Sequence, residues 1–171
     1  TLGAIISDTS RDRILRCINR AEDEGAEILL DGRQIAKEES GYYVGATVID
    51  HVKPETAAAT EEIFGPVLSI IRVSSVEEAL ALENGSNYGN GASVYTQSGE
   101  MAEFFTQNLE SGMVGVNIGV PVPREPFSFG GWQESKFGVG DITGKSSINF
   151  WTQLKKTTTK WHAKYKKDWM S

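Results

Sequence analysis

Apolar residues recur along this chain at two spacings, and the switches between them mark out its elements. Within residues 8–25, Ile14, Cys17, Ile18 and Ala21 stand at i, i+3, i+4 and i+7, the stripe of an amphipathic helix. Ser7 or Asp8 caps its start and Gly25 suits its end. Residues 26–30 then read as a short strand stopped by Asp31-Gly32, residues 42–52 as a loosely alternating strand, and residues 67–73 as a compact apolar third. Ser75-Val76-Glu77-Glu78 fits a capping box, in which the Ser75 hydroxyl and the Glu78 carboxylate each satisfy a free backbone N–H. The helix it opens is predicted to run to about Glu83 and to bury Val76, Ala79 and Leu80. Residues 92–96 read as a strand. Residues 100–109 read as a helix with Met101, Phe104, Phe105 and Leu109 on one face, and residues 113–118 as a strand. A long loop with Pro121, Pro123 and Pro126 follows, and residues 150–161 close the pattern as an extended, Thr-rich segment.

Strand, helix, strand, helix, strand over residues 67–118 is the order of parallel crossover units, so the expected fold class is α/β with a parallel sheet. The final segment, polar at alternate positions and placed after the loop, reads as an edge strand open to pairing with another chain.

The 171 residues suffice for one domain or a little more, and for a core without disulfides or metals. Lys plus Arg is 17 and Asp plus Glu is 23, a net charge of -6, which argues against a nucleic-acid partner. Residues 151–171 go against that balance, with six lysines and one acid. Apolar residues at 39% and charged residues at 23% exclude a disordered chain. A single cysteine rules out an internal disulfide and a Cys-rich zinc site. No apolar run is long enough to span a bilayer, and residues 1–8 lack the pattern of a signal peptide. The expected location is cytoplasmic, with no membrane partner. The chain opens on Thr1 rather than Met, and reads as a piece of a longer protein.

Several motifs fail on inspection. Gly144-Lys145-Ser146 ends like a phosphate-binding loop, but Val139 stands where the leading glycine belongs and no apolar strand precedes it. Gly89-Asn90-Gly91 and Gly138-Val139-Gly140 lack the third glycine of a dinucleotide fingerprint, with Val94 and Thr143 in its place. His51 and His162 are far apart without ligand pairs, so no metal is expected. Cys17 sits on the apolar stripe and reads as a small core residue rather than a nucleophile.

One segment is specific: Glu61-Glu62-Ile63-Phe64-Gly65-Pro66-Val67. In an extended stretch, residues two apart point to the same side. Glu62 and Phe64 then face one ligand, the carboxylate accepting two bonds from a sugar diol and the ring packing on a flat heterocycle. The alternative is an exposed acid beside a core Phe. With Asn87-Tyr88-Gly89, Gly112-Met113-Val114-Gly115-Val116-Asn117 and Phe127-Ser128-Phe129-Gly130-Gly131 in the same order, the chain resembles the aldehyde dehydrogenase superfamily over essentially its whole length, as the C-terminal third of such an enzyme. Within it, Pro121-Val122-Pro123, Ser135-Lys136-Phe137-Gly138, Gly144-Lys145 and Phe150-Trp151-Thr152-Gln153-Leu154-Lys155 are similar to the CoA-acylating methylmalonate-semialdehyde (malonate-semialdehyde) dehydrogenases. Arg124-Glu125 and Gly130-Gly131 depart from the forms expected there.

The resemblance implies residues 1–149 as the C-terminal part of the catalytic domain, residues 150–161 as an oligomerisation strand, and residues 162–171 as a basic tail. It implies NAD as cofactor and CoA as cosubstrate. A semialdehyde is then oxidised through a cysteine thiolate, CO2 is lost, and acetyl- or propionyl-CoA forms. The nucleophile's motif is absent here and is expected upstream of Thr1, so the chain alone is expected to be inactive. Carried over by the resemblance, Glu62 holds the nicotinamide ribose hydroxyls and Phe64 packs near the nicotinamide. Phe129, joined by Phe127, lines the aldehyde pocket, against the alternative of aromatics that only anchor the loop. Asn117 reads as positioning that loop by hydrogen bonds. Arg124 meets the substrate carboxylate or a CoA phosphate, or is simply solvated. The strand at 150–161 joins a neighbouring subunit to make a homo-oligomer, dimer or tetramer. Trp161, Tyr165 and Trp169, four apart, stripe one helix face or belong to a loose tail. Two alternatives stay open: a fragment of an ordinary, non-acylating NAD(P)-dependent aldehyde dehydrogenase, or a non-catalytic assembly module.

Overall fold

The computed structural model describes residues 2–35 and 41–161, and in it the stripe on the first helix is buried as its spacing requires. Ile14, Ile18 and Ala21 face inward from α1 (Asp8–Asp23). The helix begins where Ser7 is extended and its hydroxyl accepts a bond from the Ser10 N–H at 3.1 Å. Cys17 is half-buried at the margin of the stripe, with a free thiol. The chain divides into two compact units, residues 1–86 and 87–171.

In the first unit, α1 shares one apolar core with Val44, Ile49, Val52 and Ala58. Three strands carry this core, β1 (Glu27–Leu30), β2 (Thr47–Asp50) and β3 (Val67–Ser69), with the short helix α2 (Ala57–Thr60) between the last two. β1 runs antiparallel to β2, with Glu27 opposite Asp50, and β2 runs parallel to β3, with Thr47 opposite Val67. The strands expected at 42–52 and 67–73 are thus shorter than their apolar runs, although Ile70 still donates to the Ile49 carbonyl at 2.8 Å. Two polar residues sit in this interior, and both are satisfied. Thr47 Oγ1 accepts from the Gly32 N–H at 3.1 Å. The Asp50 carboxylate accepts from Arg72 Nε at 2.9 Å and Nη2 at 2.5 Å, and from the His51 N–H at 2.8 Å. The Arg72 bonds, followed by the His51 N–H, hold the Asp50 carboxyl down at about 2.

α3 (Val76–Asn84) ends this unit. Ser75 Oγ accepts from the Glu78 N–H at 3.1 Å, as a capping box requires. The return contact differs: Glu78 Oε2 accepts from Ser74, backbone N–H at 2.8 Å and hydroxyl at 2.7 Å, one residue upstream of the expected partner. Val76, Ala79 and Leu80 are half-buried rather than buried.

The second unit holds β4 (Tyr88–Gly89), β5 (Gly91–Val94), α4 (Gly99–Asn108), β6 (Met113–Val116), β7 (Trp132–Gln133) and α5 (Ser146–Trp151). β5 and β6 are parallel, Gly91 opposite Met113 through Val94 opposite Val116, so α4 is a crossover helix as its place in the sequence predicts. Phe104 and Phe105 on α4 meet edge to face at 5.6 Å between centroids. β4 and β7 form a separate antiparallel pair.

The α/β class therefore holds, in small sheets of mixed direction. The run of parallel crossovers over 67–118 is reduced to β5–α4–β6, because β3 pairs with β2 and belongs to a different sheet from β5. The expected strand at 150–161 also needs correction. Phe150 and Trp151 are the last turn of α5, closed by the Thr152 N–H donating to the Ile148 carbonyl at 3.1 Å. Residues 152–161 are exposed, with no regular element and no ladder partner among the described residues. Tyr165, Trp169 and the basic tail lie outside the described residues.

Candidate functional site

The motif at residues 61–67 hangs between α2 and β3, and its two ends are fixed. At one end the Glu61 N–H caps α2 through the Ala57 carbonyl at 2.9 Å. At the other, the Pro66 carbonyl accepts from the Thr47 N–H at 2.9 Å, where β2 and β3 begin to pair. Between them Glu62 is exposed, Ile63 is half-buried against the core, and Phe64 is 76% exposed. Phe64 adopts φ +52°, the left-handed region that a bulky residue enters only when its surroundings force it. The rule that residues two apart share a side therefore does not run through Phe64, because it assumes an extended chain.

Three side chains of α1 contact this loop. Arg13 donates from Nη1 to the Glu62 carbonyl at 3.1 Å and from Nη2 to the Ile63 carbonyl at 2.6 Å. Ile14 lies beneath Gly65 so closely that a Cβ there would stand 2.6 Å from Ile14 Cδ1. Arg20 reaches the Glu61 carboxylate at 3.8 Å. The Glu62 carboxylate has no hydrogen-bond or ion-pair partner among the described residues, and remains available to a ligand. Glu62 and Phe64 are thus two exposed side chains on a loop that α1 contacts through Arg13 and Ile14. Sequence reading does not find Arg13: it lies one residue before the apolar stripe, and its partners are main-chain atoms 49 and 50 residues away.

The other candidates lie in the second unit. Asn117 follows β6 at φ +56°. Its Oδ1 accepts from the Thr96 N–H at 2.9 Å and its Nδ2 donates to the Thr96 carbonyl at 3.0 Å. The carboxamide is thereby committed to backbone, and it ties the end of β5 to the start of the proline-rich loop. Further along that loop, the Arg124 carbonyl accepts from the Phe127 N–H at 3.0 Å, and the Arg124 side chain is exposed. Phe127 is 72% exposed and Phe129 is 38% exposed. The loop rests on the turn before α5: Thr143 Oγ1 accepts from the Phe129 N–H at 2.8 Å, and Ser128 Oγ donates to Ser146 Oγ at 2.9 Å. Gly144, at φ +61°, is part of this support, since a Cβ there would meet the Pro126 carbonyl oxygen at 2.8 Å. That close packing, rather than phosphate binding, accounts for the glycine. Beside Phe129 opens a mostly apolar cleft of about 240 Å³, walled by Phe137, Ile142 and Phe150 and bordered by the Lys136–Asp141 ion pair at 2.9 Å.

The structure thus groups the candidates in two sets, Glu62 with Phe64 and Arg124 with Phe127 and Phe129, one in each unit. Among the described residues no group of three or more His, Cys, Asp or Glu is placed to hold a metal, and no helix is long and apolar enough to cross a membrane.

Comparison with known proteins gives these features a setting. Residues 1–157 match the model of the aldehyde dehydrogenase family, and the chain belongs to that family. It is 45% identical over 160 residues to malonate-semialdehyde dehydrogenase 2 of Shouchella clausii (strain KSM-K16), covering 94% of this chain and 33% of that protein. Among solved structures it is similar to a methylmalonate-semialdehyde dehydrogenase from Oceanimonas doudoroffii, with TM-score 0.88, 42% identity, and coverage of 94% of this chain and 33% of the other. A putative methylmalonate-semialdehyde dehydrogenase from Sinorhizobium meliloti 1021, solved in complex with NAD, is similar to the same extent, with TM-score 0.88, 39% identity, and coverage of 94% and 33%. The chain spans about a third of the length of the curated relatives it matches.

Proposed function

We propose that this chain supplies the C-terminal third of an NAD-dependent, CoA-acylating malonate- or methylmalonate-semialdehyde dehydrogenase. The observation that carries the reading is the unpartnered, exposed Glu62 carboxylate two residues before the exposed Phe64 ring, on a loop that Arg13 and Ile14 contact where Phe64 adopts a conformation costly for phenylalanine. Likeness to malonate- and methylmalonate-semialdehyde dehydrogenases, one of them solved with NAD, supports the choice of cofactor and substrate class.

On this reading Glu62 accepts hydrogen bonds from the two hydroxyls of the nicotinamide ribose, and Phe64 packs beside the nicotinamide. Bound NAD supplies a hydride acceptor. In the second unit Phe129 and Phe127 form apolar wall for the semialdehyde, and Arg124 offers a cation to its carboxylate or to a CoA phosphate. The nucleophilic cysteine belongs to the part of the relatives' length that this chain does not span, and Cys17 stays a packing residue. Residues 152–161, exposed with Leu154 and Trp161 among them, pair with a second subunit.

The test uses the protein expressed from the longer reading frame that holds this segment, assayed for NADH with malonate or methylmalonate semialdehyde. NADH that needs CoA, with acetyl- or propionyl-CoA and CO2 as products, is the expected result. NADH without CoA and a free acid product would make it an ordinary aldehyde dehydrogenase. No turnover of any aldehyde would favour an assembly module. The 171-residue chain alone is expected to produce no NADH.

A further inference from the structure

We propose that Arg13 is the positioning residue of the loop that presents Glu62 and Phe64, an inference that rests, for its consequence in cofactor binding, on the reading of that loop as the NAD site.

The geometry is specific. A guanidinium is a planar fork of donors, and here two of its nitrogens go to consecutive main-chain carbonyls, Glu62 at 3.1 Å and Ile63 at 2.6 Å. Those carbonyls immediately precede Phe64, whose φ of +52° is the costly point of the loop. Fixing both peptide planes before Phe64 leaves its backbone little room to relax toward the extended region. The charge is also spent on backbone rather than on the carboxylate beside it. Arg20, seven residues on and so on the same face of α1, approaches Glu61 instead at 3.8 Å. The Glu62 carboxylate thus stays free while the chain beneath it is held. Ile14, next to Arg13, closes the underside against Gly65. Arg13 touches no cofactor in this account; it acts through the position of residues 62–64.

A merely structural arginine would stabilise α1 and the loop together, so the test reads them separately. Amide hydrogen exchange of the 171-residue chain is followed by mass spectrometry in wild type, Arg13→Ala, Arg13→Lys and Arg16→Ala. Arg16 is an exposed neighbour on the same helix and serves as the control. Arg13→Ala is expected to speed exchange in residues 62–67 about tenfold, the loss of a charge-assisted contact, while α1 keeps its protection. Arg13→Lys is expected to fall between, since an ammonium keeps the charge but not the fork. Arg16→Ala is expected to change nothing. Unchanged exchange at 62–67 in Arg13→Ala, or equal loss across α1, overturns the proposal.

The cofactor consequence is read in the protein from the longer reading frame. Arg13→Ala is expected to lower kcat/KM for NAD while the KM for semialdehyde holds, in parallel with Glu62→Gln. If Glu62→Gln lowers kcat/KM for NAD and Arg13→Ala does not, the positioning role is overturned. If Glu62→Gln itself has no effect, the cofactor reading fails, and the exchange experiment still decides the clamp.

Discussion

Ile14 and Gly65 are in such close register that a single added carbon at residue 65 would stand 2.6 Å from Ile14 Cδ1, and Ile14 has no exposed surface to move into. The contact joins the apolar stripe of α1 to the loop after α2. It explains why the smallest residue follows Phe64, even though Gly65 itself has no left-handed φ. Gly65→Ala is therefore expected to overpack the core and cost about 1–3 kcal/mol, read as a lower urea midpoint at constant m. Adding Ile14→Val, which removes a methyl group from the crowded side, is expected to recover part of that loss. Equal and additive costs for the two substitutions would show that they do not share the contact.

Asn117 makes both bonds its carboxamide can direct at Thr96, and sits at φ +56° where asparagine and glycine are tolerated. Asn117→Ala removes both bonds and keeps the unfavourable backbone, so a loss of about 1–3 kcal/mol is expected. Asn117→Gly loses the bonds but relieves the backbone, and should be the milder change in thermal unfolding. Asn117→Ala equal to wild type would remove the positioning role of this residue.

Acid stability should report on Asp50. Its carboxyl lies at about 2 in the folded chain against an ordinary 3.8. A folded-state value below the unfolded one stabilises above the unfolded value and is lost as pH falls through the folded value. The contribution should thus be full above about pH 5 and fade between there and pH 2. Arg72 is the largest cause of the shift, so Arg72→Met is expected to flatten this segment of the stability–pH curve. An unchanged curve in that variant would contradict the assignment.

Residues 152–161 carry exposed Leu154 and Trp161, 85% and 90% accessible, with no partner strand among the described residues. If they pair with a second subunit, light scattering should give a dimer or larger species for the longer protein, and Leu154→Asp should shift it toward monomer. A monomer in wild type would remove that role.

The sequence made local features legible. The α1 stripe and the Ser75 cap rest on spacings within a few residues, and the β5–α4–β6 crossover rests on the order of its elements. Much of what it did not show depends on partners far along the chain. Strand lengths follow the β2 ladder, and the apolar run at 67–73 cannot reveal that only three residues join it as β3. Residues 150–151 close a helix because Thr152 reaches Ile148, a bond that the Thr-rich composition obscures. Phe64 departs from period-two logic at φ +52°, in a loop that Arg13 and Ile14, some 50 positions earlier, contact on either side of it. Glu62 and Phe64 were singled out by pattern, whereas the contact of Arg13 with their loop needed coordinates.

The proposed cofactor site turns on one contact, between the Glu62 carboxylate and the ribose of a bound nicotinamide cofactor. A crystal structure of the protein from the longer reading frame, grown with NAD, tests it most directly. Both Glu62 carboxylate oxygens are expected within about 2.6–3.2 Å of the two ribose hydroxyls, with the Phe64 ring against the nicotinamide. A ribose held by other residues, with Glu62 left in solvent, would contradict it.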